Sequence, residues 1–220
     1  MRVLRFGCTG FVYTHSALNM KVLLLDADGV VLEKGEYFSE RFSREYNVPL
    51  ESVIEFFKGP FVACQKGETD LKEELLPYLE KWNWQGSVDD FLDYWFKSDV
   101  ILNPGIEEIV SDFREKGVKV YLASNNEKHR AKVIADLLTK NNLLDGVFFS
   151  AHLKVRKENP EFFEHIVREL DITPTEMAFI DNDQKNVDSA LSVGIDARPY
   201  TPEVLNELSA ETSENKLKFI

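Results

Sequence analysis

The chain has 220 residues, which is enough to bury a complete hydrophobic core and long for one minimal domain, so we expect a main domain with an insertion. Its 38 acidic residues outnumber its 26 basic residues, which gives a formal net charge of -12, and the basic residues form no cluster in the sequence. This balance argues against nucleic acid and other polyanionic partners. The two cysteines, Cys8 and Cys64, form no disulfide framework and are compatible with a reducing cytoplasm.

The first 19 residues carry Arg2 and Arg5 before a weakly apolar stretch, which superficially resembles a secretory signal. Polar residues interrupt the apolar run and no small-x-small cleavage site follows, so we reject that interpretation. A start at Met20, directly before the first predicted strand, would make residues 1–19 an N-terminal extension. No later run approaches the roughly 20 apolar residues that a membrane span needs, so we expect a cytoplasmic protein without a membrane partner.

Residues 21–32, KVLLLDADGVVL, form the stretch around which the chain is organised. The apolar run Val22 to Leu25 is short, branched and bounded by charge, as in a strand buried on both faces of a parallel sheet. Asp26 and Asp28 follow at its carboxyl end, where open α/β sheets hold their ligands, and Gly29 allows a sharp turn. The two acids suit a hard metal ion such as Mg²⁺, or covalent chemistry in which one carboxylate attacks and the other moves the proton. A lone DxDG can also be an ordinary Asp-Gly turn, so further motifs must decide.

Helical periodicity follows over residues 34–102. Phe38, Phe42 and Tyr46 recur at four-residue spacing, and later amphipathic segments and capping patterns predict four helices in all. No strand is predicted among them. The segment is therefore an all-helical insertion that leaves the sheet after its first strand and returns near Asn103.

The insertion contains all three tryptophans of the chain, Trp82, Trp84 and Trp95. A small helical bundle needs a core of its own, and core packing is the favoured interpretation of these aromatic residues. The alternative is that some of them form a stacking wall for a sugar or another ring-bearing substrate.

From Pro104 onward strands and helices alternate, which predicts βα units of one parallel sheet. The predicted strands cover residues 118–123, 147–150 and 177–180, and the predicted helices cover residues 106–116 and 127–138, with one more opening near Pro160 and another stopped by Gly194.

Polar residues follow each of these strands. Ser124 and Asn125, with the free N–H groups of a following helix, suit a phosphate. Lys157 lies in a basic loop after the third strand, where a lysine would screen the charges of two carboxylates and a phosphate. The fourth strand ends on Asp181 and Asn182, whose oxygens could complete a metal site begun at the first strand. Taken singly, these features are also typical of helix caps and surface lysines.

Each feature lies at the carboxyl end of a predicted strand, so folding brings the set together along one rim of the sheet. The set resembles the haloacid dehalogenase-like (HAD) superfamily, whose motifs are an apolar strand ending DxDG, a Ser or Thr, a Lys and an acidic pair. The matching segments are LLLDADGV, YLASNN, SAHLKVRKENPEFF and FIDNDQKNVDSA. The resemblance covers most of the chain from Lys21 to about Tyr200.

The resemblance implies an α/β fold, in which a Rossmann-like parallel sheet core carries an α-helical cap domain inserted after the first strand. The core would comprise residues 20–33 and 103–208, the cap residues 34–102, and a C-terminal tail residues 209–220. The insertion looks like the cap of a subgroup that includes small-sugar phosphatases and the phosphatase domain of soluble epoxide hydrolase.

The resemblance also implies roles for the motif residues. Asp26 would be the nucleophile that forms an aspartyl-phosphate, and Asp28 the acid/base that protonates the leaving alcohol and then activates water. Ser124, with the backbone of Asn125, would hold the phosphoryl oxygens, and Lys157 would pair with the nucleophile and the phosphate.

The implied cofactor is Mg²⁺, bound by Asp26, the carbonyl of Asp28 and the acidic motif. The usual direct ligand of the family falls on Asn182, where an acid is commoner, so the site loses one formal charge unless Asp181 or Asp183 compensates. Activity would then require an unusually high Mg²⁺ concentration.

A second departure concerns the lysine motif. The family often has Pro after its lysine, whereas this chain has Glu158, which leaves Lys154 as a rival of Lys157 for the role.

The predicted function is hydrolysis of a small phosphorylated metabolite. Dehalogenases of this family lack an acid at the position of Asp28, because halide departs without a proton, so Asp28 favours phosphoryl transfer. A phosphomutase, a dehalogenase and a non-catalytic binding protein are the alternatives. The sequence names neither the substrate nor the oligomeric state.

Overall fold

The computed structural model describes residues 20–217, and it describes the side chains as far as residue 213. The predicted extension over residues 1–19 lies outside the described residues. Within them, five strands form one parallel sheet in the order β3-β2-β1-β4-β5. The strands are β1 Val22–Leu25, β2 Lys119–Ser124, β3 Gly146–Phe149, β4 Met177–Asp181 and β5 Asp196–Pro199.

Strand β1 lies at the centre of the sheet. Leu24 pairs with Tyr121 of β2 on one side and with Phe179 of β4 on the other. All four residues of β1 are buried, because helices cover both faces of the sheet. The parallel α/β fold predicted from sequence is confirmed, and the carboxyl ends of β1, β2, β3 and β4 lie along one rim.

Helices pack on both faces of the sheet. Those of the core are α6 Ile106–Glu115, α7 Lys128–Lys140, the short α8 Ser150–Leu153, α9 Glu161–Leu170, α10 Gln184–Val193 and α11 Val204–Leu217. Leu23 and Leu25 of β1 share a buried cluster with α6, α7 and α11, whereas Leu24 belongs to a second cluster with α9 and α10. Alternate residues of β1 therefore point into separate hydrophobic layers.

The insertion is helical, as predicted, but it contains five helices where the sequence predicted four. These are α1 Phe38–Tyr46, α2 Leu50–Lys58, α3 Pro60–Gln65, α4 Leu71–Lys81 and α5 Val88–Asp99. The additional break falls at Gly59, because Pro60 has no N–H to continue a helical ladder and disfavours helical geometry at the residue before it.

The cap has a hydrophobic cluster of its own. Trp82 and Trp95 are 5% and 4% exposed and pack with Phe42, Phe56 and Phe91, which confirms core packing for these two tryptophans. Trp84 is half-buried at the edge of the cluster. The cap therefore has a hydrophobic core separate from the two that cover the sheet.

Two chain segments join the cap to the core side by side. Leu32 and Leu102 form an antiparallel bridge, and the N–H of Glu33 donates to the carbonyl of Ile101 at 2.9 Å. Asn103 donates through its side chain to the carbonyl of Val30 at 3.1 Å, which ties the returning segment to the loop after β1.

Several elements of the core differ from the sequence predictions. Strand β3 ends at Phe149, because Ser150 already begins α8. Strand β5 was not predicted, since an edge strand paired on one side has no continuous apolar run. Residues 209–217, predicted as tail, continue α11, and Leu208 and Thr212 are buried against the core. No helix of the described residues is long and apolar enough to cross a membrane.

Candidate active site

The loop after β1 places Asp26 and Asp28 at the rim of the sheet. Asp26 is 6% exposed, and its N–H donates to the carbonyl of Ile180 at 2.9 Å, which extends the β1–β4 ladder by one bond. The Asp28 side chain is 55% exposed and faces the space between core and cap. Gly29 has φ +82°, and a Cβ there would lie 2.7 Å from Nδ2 of Asn182, so the turn requires glycine for conformation and for space.

Lys157 lies between two buried carboxylates. Its Nζ is 2.5 Å from Oδ1 of Asp26 and 2.6 Å from Oδ2 of Asp181, and the side chain is 2% exposed. Burial raises the pKa of Asp26 to about 7, against the opposing charge of Lys157 and with reinforcement from Asp181 and Asp28. For Lys157, burial would lower the pKa, but the two carboxylates outweigh it and raise the pKa above its ordinary value. The two carboxylates therefore favour the charged form of Lys157 beside Asp26.

Lys154, the other candidate for the lysine role, does not contact Asp26. Lys154 adopts a left-handed backbone conformation at φ 64°, and its Nζ donates to the carbonyl of Gly67 in the cap at 2.7 Å. Of the two candidates, the structure places Lys157 against Asp26 and uses Lys154 in a contact between core and cap.

Ser124 is the last residue of β2 and Asn125 follows it, so both lie at the rim of the sheet. Ser124 is buried, and its Oγ accepts a hydrogen bond from Nδ2 of Asn126 at 2.7 Å, which leaves the hydroxyl proton for another acceptor. Oδ1 of Asn125 accepts from the N–H of Lys157 at 2.9 Å, and its Nδ2 donates to Glu158 at 3.0 Å. Asn125 therefore joins the loop after β2 to the lysine loop.

Glu158, which departs from the family pattern, has a structural role. It pairs with Arg156 at 2.7 Å in addition to accepting from Asn125. Glu158, at the position where the family often has proline, thus makes polar contacts that hold the lysine loop in place.

Arg130 is the site residue that sequence reasoning missed. Its Nη1 donates to Oδ2 of Asp28 at 2.8 Å and its Nη2 to Oδ1 at 2.5 Å, so the pair is bidentate, and Nη1 also donates to Oδ1 of Asn126 at 2.8 Å. Desolvation would raise the pKa of Asp28, but the charge and hydrogen bonds of Arg130 outweigh it and hold the pKa below its ordinary value. Arg130 therefore keeps Asp28 ionised and fixes its position.

A weak signal for Arg130 existed in the sequence. The arginine lies on the same face of α7 as Ala131 and Ile134, which are fully buried, and a charge on a buried face requires a partner. The sequence does not say which carboxylate that partner is, because Asp28 is 102 residues away.

The acidic motif after β4 divides between two environments. Asp181 is fully buried, and its oxygens accept from Nζ of Lys157, from Nδ2 of Asn186 at 3.0 Å and from the N–H of Asp183 at 2.7 Å. Asn182 is exposed, and its Nδ2 donates to the carbonyl of Asp28 at 2.6 Å. Asp181 thus orients Lys157, while Asn182 reaches the loop after β1.

These donors fit Mg²⁺. Asp26, Asp28 and Asn182 line the same cavity, and the amide of Asn182 contacts the carbonyl of Asp28. Rotating that amide by half a turn exchanges its nitrogen for an oxygen at the same place. Mg²⁺ takes oxygen ligands, binds few protein groups and keeps several waters. Within the described residues no cluster of three His, Cys, Asp or Glu side chains is placed to hold a metal, so the amide and carbonyl oxygens must contribute. Asp181 as a direct ligand stays a prediction, and its present partners favour an outer position.

The rim opens into a cavity of about 760 Å³ between core and cap. Asp26, Asp28, Asn125, Arg130 and Asn182 line its core side. Residues of the cap helices line the opposite side of the cavity.

Comparison with known proteins identifies the family. The family model described as haloacid dehalogenase-like hydrolase matches residues 20–194. The chain belongs to the haloacid dehalogenase-like hydrolase family. The HAD resemblance predicted from the four motifs is thereby confirmed, and the match includes the cap.

Two curated relatives are phosphatases. A phosphorylated carbohydrates phosphatase of Thermotoga maritima is 24% identical over 183 residues, covering 80% of this chain and 83% of that protein. The sesquiterpene phosphatase astK of Aspergillus oryzae is 30% identical over 87 residues, covering 40% of this chain and 44% of that protein. The chain therefore aligns with less than half the length of the second relative.

Solved structures share the HAD fold. A HAD family enzyme of Bacteroides thetaiotaomicron, crystallised with magnesium and inorganic phosphate, has a TM-score of 0.71 and 22% identity, covering 83% of this chain and 94% of that chain. An L-2-haloacid dehalogenase has a TM-score of 0.61 and 12% identity, covering 84% of this chain and 86% of that chain. At these identities the likeness shows the fold alone, so function must be argued from the site.

Proposed function

We propose that this HAD hydrolase is a Mg²⁺-dependent phosphate monoester hydrolase that acts on a small phosphorylated metabolite through an aspartyl-phosphate. The observation that carries the proposal is the second carboxylate, Asp28, held by Arg130 next to Asp26. Release of an alcohol from phosphate needs a proton donor at this place, whereas release of halide does not. The net charge of -12 favours a small metabolite over nucleic acid or an anionic membrane surface.

The chemistry proceeds in two halves. In the first, a carboxylate oxygen of Asp26 forms a bond to phosphorus, the bond from phosphorus to the ester oxygen breaks, and Asp28 gives its proton to that oxygen. In the second, water attacks phosphorus, Asp28 takes a proton from the water, and the bond between Asp26 and phosphorus breaks. The contact with Arg130 favours the ionised form of Asp28, which is the form that activates water, so the acid form requires Asp28 to leave Arg130.

The remaining residues hold the phosphoryl group. Ser124 can donate its hydroxyl proton to a phosphoryl oxygen, since Asn126 already occupies it as an acceptor. Lys157 supplies a fixed positive charge beside the attacking oxygen of Asp26. Mg²⁺, when held by Asp26, the carbonyl of Asp28 and Asn182, would supply further positive charge against the phosphoryl oxygens.

Replacement of Asp28 by Asn tests this function. With Mg²⁺, the wild type should release phosphate from both alkyl and aryl phosphates. Asp28→Asn should lower turnover of an alkyl phosphate by about 10²–10⁴-fold, because a poor leaving group depends on the proton donor. The value of kcat/KM for 4-nitrophenyl phosphate should fall much less, since its leaving group departs without help and kcat/KM does not include the later hydrolysis of the aspartyl-phosphate.

The matched control is Asp188→Asn, an exposed carboxylate on α10 that pairs with Gln184. It should leave both rates unchanged. Equal losses of kcat/KM for alkyl and aryl substrates in Asp28→Asn would refute the acid role. Absence of phosphate release by the wild type would support a non-catalytic binding protein.

The neutral ligand Asn182 predicts a weak metal site. Asn182→Asp restores a formal charge beside the carbonyl of Asp28, so we expect half-maximal turnover at an Mg²⁺ concentration about tenfold lower. Calorimetric titration of the protein with Mg²⁺ should show the same gain in affinity without substrate.

Asp181→Asn should weaken Mg²⁺ binding if Asp181 supports the site from an outer position. An unchanged affinity in Asp181→Asn together with a loss in Asp183→Asn would assign that support to Asp183.

A further inference from the structure

The cap side of the cavity is lined by apolar side chains. Phe38, Phe61 and Trp95 line it from within the cap cluster, where each is at most 9% exposed, and the half-buried Ile54 and Phe57 complete the surface. We call these five residues the apolar wall. They come from four different helices, α1, α2, α3 and α5, so the wall is a property of the folded cap and not of one segment.

The apolar wall is rigid. The rings of Phe38 and Trp95 stack at 4.8 Å between centroids, and Phe57 packs edge-on against Trp95 at 5.2 Å and against Phe61 at 5.1 Å. Rings that are locked against one another lose little conformational entropy when a ligand binds, so the surface is already organised for contact.

Three polar side chains on this side of the cavity, those of Gln65, Ser98 and Asp99, already have partners within the chain. Gln65 donates to the carbonyl of Asn125 at 2.9 Å, and Ser98 donates to the carbonyl of Trp95 at 3.0 Å. Asp99 accepts from Nε1 of Trp95 at 3.0 Å, and its other oxygen is an alternative acceptor for the Ser98 hydroxyl. A polyhydroxylated leaving group would need free donors and acceptors in fixed positions, and these three residues are committed elsewhere.

Apart from the half-buried Asp99, the charged cap residues that line the cavity are exposed. Lys34, Glu36 and Lys58 are all exposed, unlike the rings of the apolar wall. Long charged side chains at an exposed rim remain hydrated, so they do not set the polarity of the buried surface.

The cavity is larger than a phosphoryl group and a metal ion require. Its volume of about 760 Å³ falls in the range of pockets that enclose ligands of drug size, roughly 300–1,000 Å³. The core side carries the phosphoryl chemistry, which leaves the space against the apolar wall for the alcohol that departs.

We propose that the leaving group is apolar, so that the substrate is a phosphate monoester of a long aliphatic or ring-bearing alcohol and not of a sugar. This inference rests on the proposed phosphatase function and specifies its substrate class. The phosphoryl end binds at Asp26, Ser124 and Lys157, and the alcohol lies along the apolar wall. Burial of each further methylene group stabilises the complex until the wall is covered.

The test is a homologous series of linear alkyl phosphates from ethyl to dodecyl, kept below their micelle concentrations, with Mg²⁺. We expect kcat/KM to rise by up to about fourfold per added methylene and then to level off. Glucose 6-phosphate should be turned over less efficiently than hexyl phosphate, which has a chain of the same carbon number without the hydroxyl groups.

Variants of the apolar wall test whether this surface causes the dependence of kcat/KM on chain length. Ile54→Asn and Phe57→Ala should both flatten the dependence of kcat/KM on chain length, because they remove apolar surface from the wall. Val133→Asn is the matched control, since Val133 is exposed on α7 away from the cavity, and it should retain the wild-type slope.

Binding separates this inference from the proposed function. Alkyl phosphonates, which have no ester bond to break, should bind more tightly and with a more negative heat-capacity change as the chain lengthens. A flat kinetic series and flat phosphonate affinities, with 4-nitrophenyl phosphate still hydrolysed, would overturn the apolar leaving group and keep the phosphatase. No phosphate release from any ester would overturn the phosphatase, and the phosphonate series would then decide the chemistry of the apolar wall alone.

Discussion

Asp26→Asn is expected to reduce phosphate release by about 10⁴-fold or more, because it removes the proposed nucleophile while nearly preserving its shape. The loss should be the same for alkyl and aryl phosphates, which distinguishes it from Asp28→Asn. Steady-state turnover of freshly prepared protein measures it.

The same variant should remain folded. The Asn side chain keeps an oxygen that can accept from Nζ of Lys157, and Lys157 retains Asp181 as its partner. We expect the free energy of unfolding in urea to change by less than about 2 kcal/mol. Near wild-type turnover by the folded variant would remove Asp26 from the mechanism.

Lys157→Met is expected to damage both activity and stability. It leaves Asp26 and Asp181 buried without the cation between them, and breaking a buried ion pair costs about 3–5 kcal/mol. It also removes the charge that offsets repulsion between the carboxylate and the phosphate, so turnover should fall by about 10²–10³-fold, the range for loss of one fixed electrostatic group. Urea unfolding and steady-state kinetics measure the two effects separately.

Lys154→Met is the matched control for that experiment. It removes the hydrogen bond to the carbonyl of Gly67, which should cost about 1 kcal/mol, and it leaves the charges around Asp26 unchanged. Turnover should stay within a few-fold of the wild type. If Lys154→Met lost activity and Lys157→Met kept it, the assignment of the lysine role from the structure would be wrong.

The sequence by itself determined the layout of the molecule. The run Val22 to Leu25 is uninterrupted and apolar, which a strand covered on both faces requires, and it lies at the centre of the sheet. The rule that parallel strands present ligands at their carboxyl ends then predicted that Asp26, Ser124 and Asp181 would lie along one rim. These are consequences of local pattern and of a general topological rule, so one chain was enough to infer them.

Only the tertiary structure decided which basic residues pair with the carboxylates of the site. Lys154 and Lys157 are three residues apart and chemically identical, and the backbone of the loop determines which one meets Asp26. Arg130 and Asp28 are 102 positions apart, and no local pattern links two charges at that separation.

The different environments of the two residues of the acidic motif have the same origin. Asp181 and Asn182 are adjacent in sequence, yet the alternation of side chains at the end of β4 buries the first against Lys157 and exposes the second toward Asp28. The apolar wall depends in turn on the packing of four cap helices. Strand and helix periodicity follow from neighbouring residues, whereas ion pairs and cavity walls join residues from distant segments, and these are brought together only when the chain has folded.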